Sequence, residues 1–162
     1  MGNDIRQMHA YFTSYPMGIQ VDILNPAADM IHHLDMARSL SNLCRDGGAR
    51  DCFLSVAQHS CIVCDLCPIE LKPLGLLHDG GEYIMGADLR RALKYHMQGF
   101  KATESTALAV ILEKYNIDGS RYADIKVYDD KAWEMEKNLI GWPPQKAEIE
   151  FLHRFYKYVE SR

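Results

Sequence analysis

The sequence contains no long apolar run: nowhere do about 18 apolar residues follow one another, the length a membrane-spanning helix requires. It also lacks an excess of basic charge, since 18 Lys and Arg stand against 22 Asp and Glu, for a formal net charge of -4. No global cationic field is available to condense on a nucleic-acid backbone or an anionic bilayer, so neither a polymeric nucleic acid nor a membrane is an expected partner. The opening MGNDIRQMHAYF carries no apolar stretch of leader type, and the expected location is cytoplasmic. Sustained two-residue alternation between hairpin turns is missing too, so no strand is expected. Cysteine is neither scarce nor evenly spread. The five, Cys44, Cys52, Cys61, Cys64 and Cys67, are an odd number crowded into a short stretch, unlike the framework of a secreted disulfide protein.

What is present is ordinary globular composition, 48% hydrophobic and 25% charged over 162 residues, which fits a single domain spanning 1–162. Helical periods dominate. After the Asn25-Pro26 turn, Ile31, Leu34, Leu40 and Leu43 mark a first helix ending near Cys44. RDGGARD reads as a loop, because Gly47 and Gly48 accept backbone angles that other residues resist. Further helices are expected over about 55–67, 71–78, 89–95, 103–115, 122–140 and 148–158, with Pro68 in the first turn of the third and breaks at Gly80-Gly81 and Pro143-Pro144. The fold class is therefore all-α, a single-domain helical bundle. Cys61, Cys64 and Cys67 spell C-x-x-C-x-x-C, a pattern that can ligate an iron–sulfur cluster on a loop, but here they fall within a helical apolar run and read as small core hydrophobes. Phe151, Phe155 and Tyr158 read as an apolar face for a partner subunit, so a homo-oligomer is expected. His96 and His153 read as surface or packing residues, and Tyr122, Tyr128, Tyr156 and Tyr158 as structural.

The most informative stretch is PLGLLHDGGEY, where His78 and Asp79 stand side by side at the end of an apolar run. Burying them against Leu76 and Leu77 leaves two polar groups in need of partners, and a divalent cation is a strong partner for both. If the chain stays helical through this turn, Glu82 shares their face and can orient a water. A capped, solvated helix end explains the same residues equally well. Two further donors stand elsewhere, His59 on the second helix and Asp129 on the long one, with Asp130 as its decoy and Glu136 two turns on. Each taken alone is as readily a core histidine or a solvated carboxylate.

Together, His59 in SVAQHS, His78-Asp79 in LLHDGGEY and Asp129 in IKVYDDKAWEME match the H…HD…D signature, and from about Thr13 to Ile140 the chain resembles the small phage and bacterial HD-domain phosphohydrolases related to 5′-deoxynucleotidases. That resemblance implies an all-helical fold in which His59, His78, Asp79 and Asp129 bind one divalent metal, Mn, Co, Zn, Fe or Mg. It implies Asp79 and Glu82 as the catalytic pair, with Glu82 helping to activate water. The expected reaction is attack of metal-activated water on the phosphorus of a small-molecule nucleotide, a deoxynucleoside monophosphate or triphosphate. Alternatives are a cyclic or oligonucleotide phosphodiesterase and a nucleotide-binding module without turnover. Arg45, Arg50 and Lys94 are candidates to neutralise phosphate, and Asp88 is a further substrate-binding candidate. Relatives carry a histidine after the glycine pair where this chain has Ala49, and their carboxylate comes one residue earlier than Asp88.

Overall fold

The computed structural model describes residues 10–161, so residues 1–9, which the leader expectation concerns, lie outside the described part. The chain runs β1 (Tyr11–Ser14), β2 (Ile19–Asp22), α1 (His33–Asn42), α2 (Val56–Leu66), α3 (Lys72–Leu77), α4 (Gly81–Met85), α5 (Arg91–His96), α6 (Gln98–Lys114), α7 (Tyr122–Glu136) and α8 (Pro144–Phe155). It is mostly helical, as the periodicity predicts. α2 lies at the centre, packed on α3, α7, α8 and α1, while α1 also packs on α8 and α4 on α6. Met36, Leu40, Leu76, Leu77, Ile111, Phe151 and Phe155 form the shared interior.

The hairpin corrects the expectation of no strand. β1 and β2 pair antiparallel with Phe12 opposite Val21 and Thr13 opposite Gln20. Each strand has four residues, too few to register as sustained alternation, although Ile19-Gln20-Val21-Asp22 does alternate and Gly18, at φ 72°, turns the chain between them. The hairpin is held to the helices: Met17 N–H donates to Asp35 Oδ1 at 2.8 Å and Tyr83 Oη donates to Ser14 Oγ at 2.9 Å.

Phe151 and Phe155 also depart from expectation. They are 0% and 1% exposed, buried inside this chain's own core against α1 and α2 rather than offered to a second subunit. An apolar stripe reads the same in sequence whichever chain covers it. The cysteine reading agrees with the structure: Cys61, Cys64 and Cys67 are buried free thiols, and burial pushes Cys64 up to about 12 and Cys67 to about 11.

Local chemistry places the site-bearing elements. Ser55 caps α2 by accepting the Gln58 N–H at 3.1 Å. The Gln58 side chain then fixes the far segment, donating to Ile140 O at 3.3 Å and accepting from Trp142 N–H at 2.7 Å. α7 ends at Glu136, before the expected Ile140. The ends of the Cys44–Ser55 loop are clipped together by Arg45 N–H to Leu54 O (2.8 Å) and Val56 N–H to Leu43 O (3.0 Å). Within it Asp46, Gly47 and Gly48 all take positive φ, the freedom anticipated for the glycines. Between α3 and α4 the backbone stays helical through His78 and Gly80. The expected break at Gly80-Gly81 is only a tightened turn, with Glu82 N–H bonded to Asp79 O at 3.0 Å. Gly81 is required there, because a Cβ would stand 2.6 Å from the Glu104 carbonyl of α6.

Candidate metal centre

His59 from α2, His78 from the turn after α3 and Asp129 from α7 each bring one ligand atom within 4.8 Å of the others, and Asp79, in the same turn as His78, reaches both imidazoles. His59 Nε2 lies 3.2 Å from His78 Nε2, 3.2 Å from Asp129 Oδ1 and 3.4 Å from Asp79 Oδ2. His78 Nε2 is 3.3 Å from the same Asp79 oxygen. Donors held about 2.1 Å from a common ion stand about 3.0 Å apart in an octahedron and about 3.4 Å apart in a tetrahedron, so these separations match the edges of a coordination shell. Asp129 turns inward while its neighbour Asp130 pairs with Lys126 at the surface.

The second nitrogen of each ring decides what the first can do. His78 Nδ1 lies 2.8 Å from the Gly75 carbonyl, which only accepts, so Nδ1 carries the hydrogen. His59 Nδ1 lies 2.5 Å from Oε1 of Glu136, a carboxylate with no exposed side-chain surface. Both Nε2 atoms of the neutral rings therefore point lone pairs at each other and at two carboxylates. Four acceptors with no donor among them need a positive charge, and the set fits a divalent cation of the borderline kind that imidazole and carboxylate share. A proton is the competing occupant. Burial and Arg45 oppose charge on His59, yet its bonds to Asp129 and Glu136 and the nearby Asp79 raise its pKa. Burial instead lowers that of His78. Asp79 and Asp129 are both held below the usual carboxylate range: burial opposes ionisation, but the two histidines and Arg45 outweigh it.

Around the donors, the four predicted substrate contacts are already engaged. Arg45 is buried, with Nη1 3.0 Å from Asp88 Oδ2 and 3.6 Å from Asp79 Oδ2. Asp88 also accepts the Asp46 N–H at 2.9 Å, which fastens the loop over the site. Arg50 stands behind His59, its guanidinium 2.7 Å from Glu136 and 2.8 Å from Asp46. It lines a small separate cavity beside Cys44 and Phe53, away from the donors. Lys94 bridges Glu82 and Glu104, 2.6 Å from each. Glu82 is 1% exposed, and burial together with the charges of Asp79 and Asp88 raises its pKa well above the ordinary value. Its second oxygen, Oε2, has no partner and belongs to a residue lining the cavity that Asp79 and Asp129 border.

Sequence reasoning did not assign Glu136, Glu104 or Lys101 to the site. Glu136 had a signal, two turns from Asp129 on one face of α7. Glu104 had none, because its contact with Lys94 depends on how α5 folds back on α6. Tyr122, read as structural, lines the site and donates to the His78 carbonyl at 3.4 Å.

No family model matches the chain. It is 37% identical over 115 residues to the uncharacterized protein YfdR of Escherichia coli (strain K12). The match covers 67% of this chain and 64% of YfdR, so the chain spans less than two thirds of that relative's length.

Proposed function

We propose that the protein is a metal-dependent phosphohydrolase of the HD-domain type acting on small nucleotides, deoxynucleoside monophosphates or triphosphates. One observation carries this reading: two imidazoles and two carboxylates from three separate elements stand together, His59 Nε2 lying 3.2–3.4 Å from His78 Nε2, Asp129 Oδ1 and Asp79 Oδ2 and His78 Nε2 3.3 Å from the same Asp79 oxygen. The H…HD…D resemblance supplies the reaction class. His59, His78, Asp79 and Asp129 would hold the ion, which when bound polarises a phosphoryl group and acidifies water toward a pKa of about 7.

The chain's own residues supply the rest. Lys94 fixes Glu82 through Oε1, and Oε2, buried and without a hydrogen-bond partner in a residue that lines the cavity beside Asp79, would accept the proton of the attacking water. Water oxygen bonds to phosphorus as the ester or anhydride bond breaks, and the proton held on Glu82 is available to the leaving oxygen. Arg45, tied to Asp79 and Asp88, holds the carboxylates in place and is not a free phosphate clamp.

The test is phosphate release by purified protein supplied in turn with Mn, Co, Zn, Fe and Mg, against a panel of nucleotides. Turnover that disappears in Asp79→Ala is the expected result. Inorganic phosphate with nucleoside identifies a monophosphatase, tripolyphosphate a triphosphohydrolase, and a linearised nucleotide a phosphodiesterase. Metal and nucleotide bound without any turnover would reject the enzyme and leave a binding module.

A further inference from the structure

Three cavities meet at the donor cluster, and each borders a different pair of donors. The first, about 670 Å³, touches His78 and Asp79; the second, about 520 Å³, touches Asp79 and Asp129; the third, about 450 Å³, touches His78 and Asp129. Their linings differ in kind. Asp46, Glu82, Asp88, Asp130 and Glu134 make the second acidic, and Arg91 and Lys94 there already face carboxylates. The third carries Lys101, which also lines the first, while its Arg91 and Lys126 face Asp129 and Asp130. The first runs along α6, where Leu108, Ala109 and Leu112 oppose Ile117 and Tyr122.

We infer that the α6 groove is the seat of a planar, uncharged ring, a nucleobase, carried by the substrate whose phosphate lies at the donor cluster. This rests on the phosphohydrolase reading for the phosphate, and on the groove itself for the ring. The groove's volume falls in the range of small-molecule sites and it begins at two metal donors, so a ligand in it is one short linker from the reacting phosphorus. Apolar walls favour a ring's faces, while Glu104, Ser105 and Glu113 along the same lining offer acceptors suited to ring N–H and amino groups. An acyl chain would leave those polar groups unmatched. The acidic second cavity repels further phosphate, so additional phosphates of a triphosphate would extend past Lys101 into the third one.

Exposed positions on the groove side of α6 allow a test that leaves the core intact. Ser105 and Ala109 both line it, whereas Thr106 is exposed and outside it. Deoxyadenosine, which has the ring and no phosphate, is titrated into metal-loaded protein and followed by calorimetry. In Ala109→Trp and Ser105→Trp the dissociation constant should rise by a factor of about 10–100, the worth of losing one ring contact, while Thr106→Trp should match the parent. Hydrolysis of dAMP and of 2-deoxyribose 5-phosphate, which lacks the base, is measured alongside. The parent should prefer dAMP, each groove variant should lose that preference through KM, and Thr106→Trp should leave turnover of both esters unchanged. If neither ester is hydrolysed, the phosphohydrolase reading fails and deoxyadenosine binding alone decides the groove. No binding by the parent, or binding equal in parent and both groove variants, overturns the inference.

Discussion

α2 carries two sides that are equally buried and chemically opposite. His59 and, two and five residues on, Cys61 and Cys64 are all 0% exposed. On the cysteine side the thiols fill volume in the core, and the nearby charges of Asp65, Lys72 and Arg154 pair among themselves or with backbone rather than with sulfur. On the histidine side each buried group is charged or paired with a charge: Glu136 against His59 and Arg50, Arg45 against Asp88 and Asp79, Lys94 against Glu82 and Glu104. Burial by itself therefore says nothing about chemistry. What separates the two sides is charge: the cysteine side holds buried thiols with no ionic partner, whereas the histidine side gathers acceptors that a positive charge, a proton or a cation, would satisfy.

That contrast breaks most sharply at the donors. Asp129→Ala or His59→Ala should weaken affinity for Mn or Zn by more than about 100-fold, read as metal content after dialysis and by titration calorimetry. Retention of metal at parental affinity in either variant would sink the centre. Glu136→Gln keeps the shape but removes the charge that orients His59 and faces Arg50, and should cost about 10–100-fold in metal affinity while the far-ultraviolet spectrum is unchanged.

The pH dependence sharpens the comparison further. The folded-state pKa of His59 is raised, so in metal-free protein its proton adds stability that is fully present below the unfolded value of about 6.5 and is lost as pH rises through the folded pKa. His78, shifted the other way, subtracts stability as pH falls below about 6.5. Because an ion must displace the His59 proton, metal affinity should fall by about tenfold per pH unit below that folded pKa, with proton release seen in buffers of different ionisation enthalpy. An affinity flat across this range would mean that no histidine proton is displaced. The smallest effect belongs to the other side of the helix. Cys64→Ser buries a hydroxyl among apolar groups and should cost about 1–3 kcal/mol in denaturant unfolding, with metal stoichiometry unaltered.

That His59, His78, Asp79 and Asp129 come together was legible because their types and order form a joint pattern that no single residue carries, and because the His78-Asp79 pair follows an apolar run. The helices were legible where the 3.6-residue period is long, as in α2 and α7. Three features were hidden for physical reasons. The hairpin is too short to show a period. Phe151 and Phe155 show that a helix is amphipathic without showing which chain covers its apolar face. Arg50 was read as a phosphate contact because a basic residue in a glycine-rich loop looks free, whereas the folded loop turns it toward Glu136, a carboxylate 86 positions away. Pairings of that range follow from how helices pack, which local sequence does not encode.

The bare backbone of Gly81 lies against the Glu104 carbonyl with no room for a methyl group. Anything larger must push α6 outward, carrying Glu104 away from Lys94 and so loosening the grip on Glu82, although no donor to the ion has been touched. The position thus acts as a spacer between two helices: hydrogen is the one substituent short enough to let them approach and keep the Glu82–Lys94–Glu104 bridge closed beside Asp79.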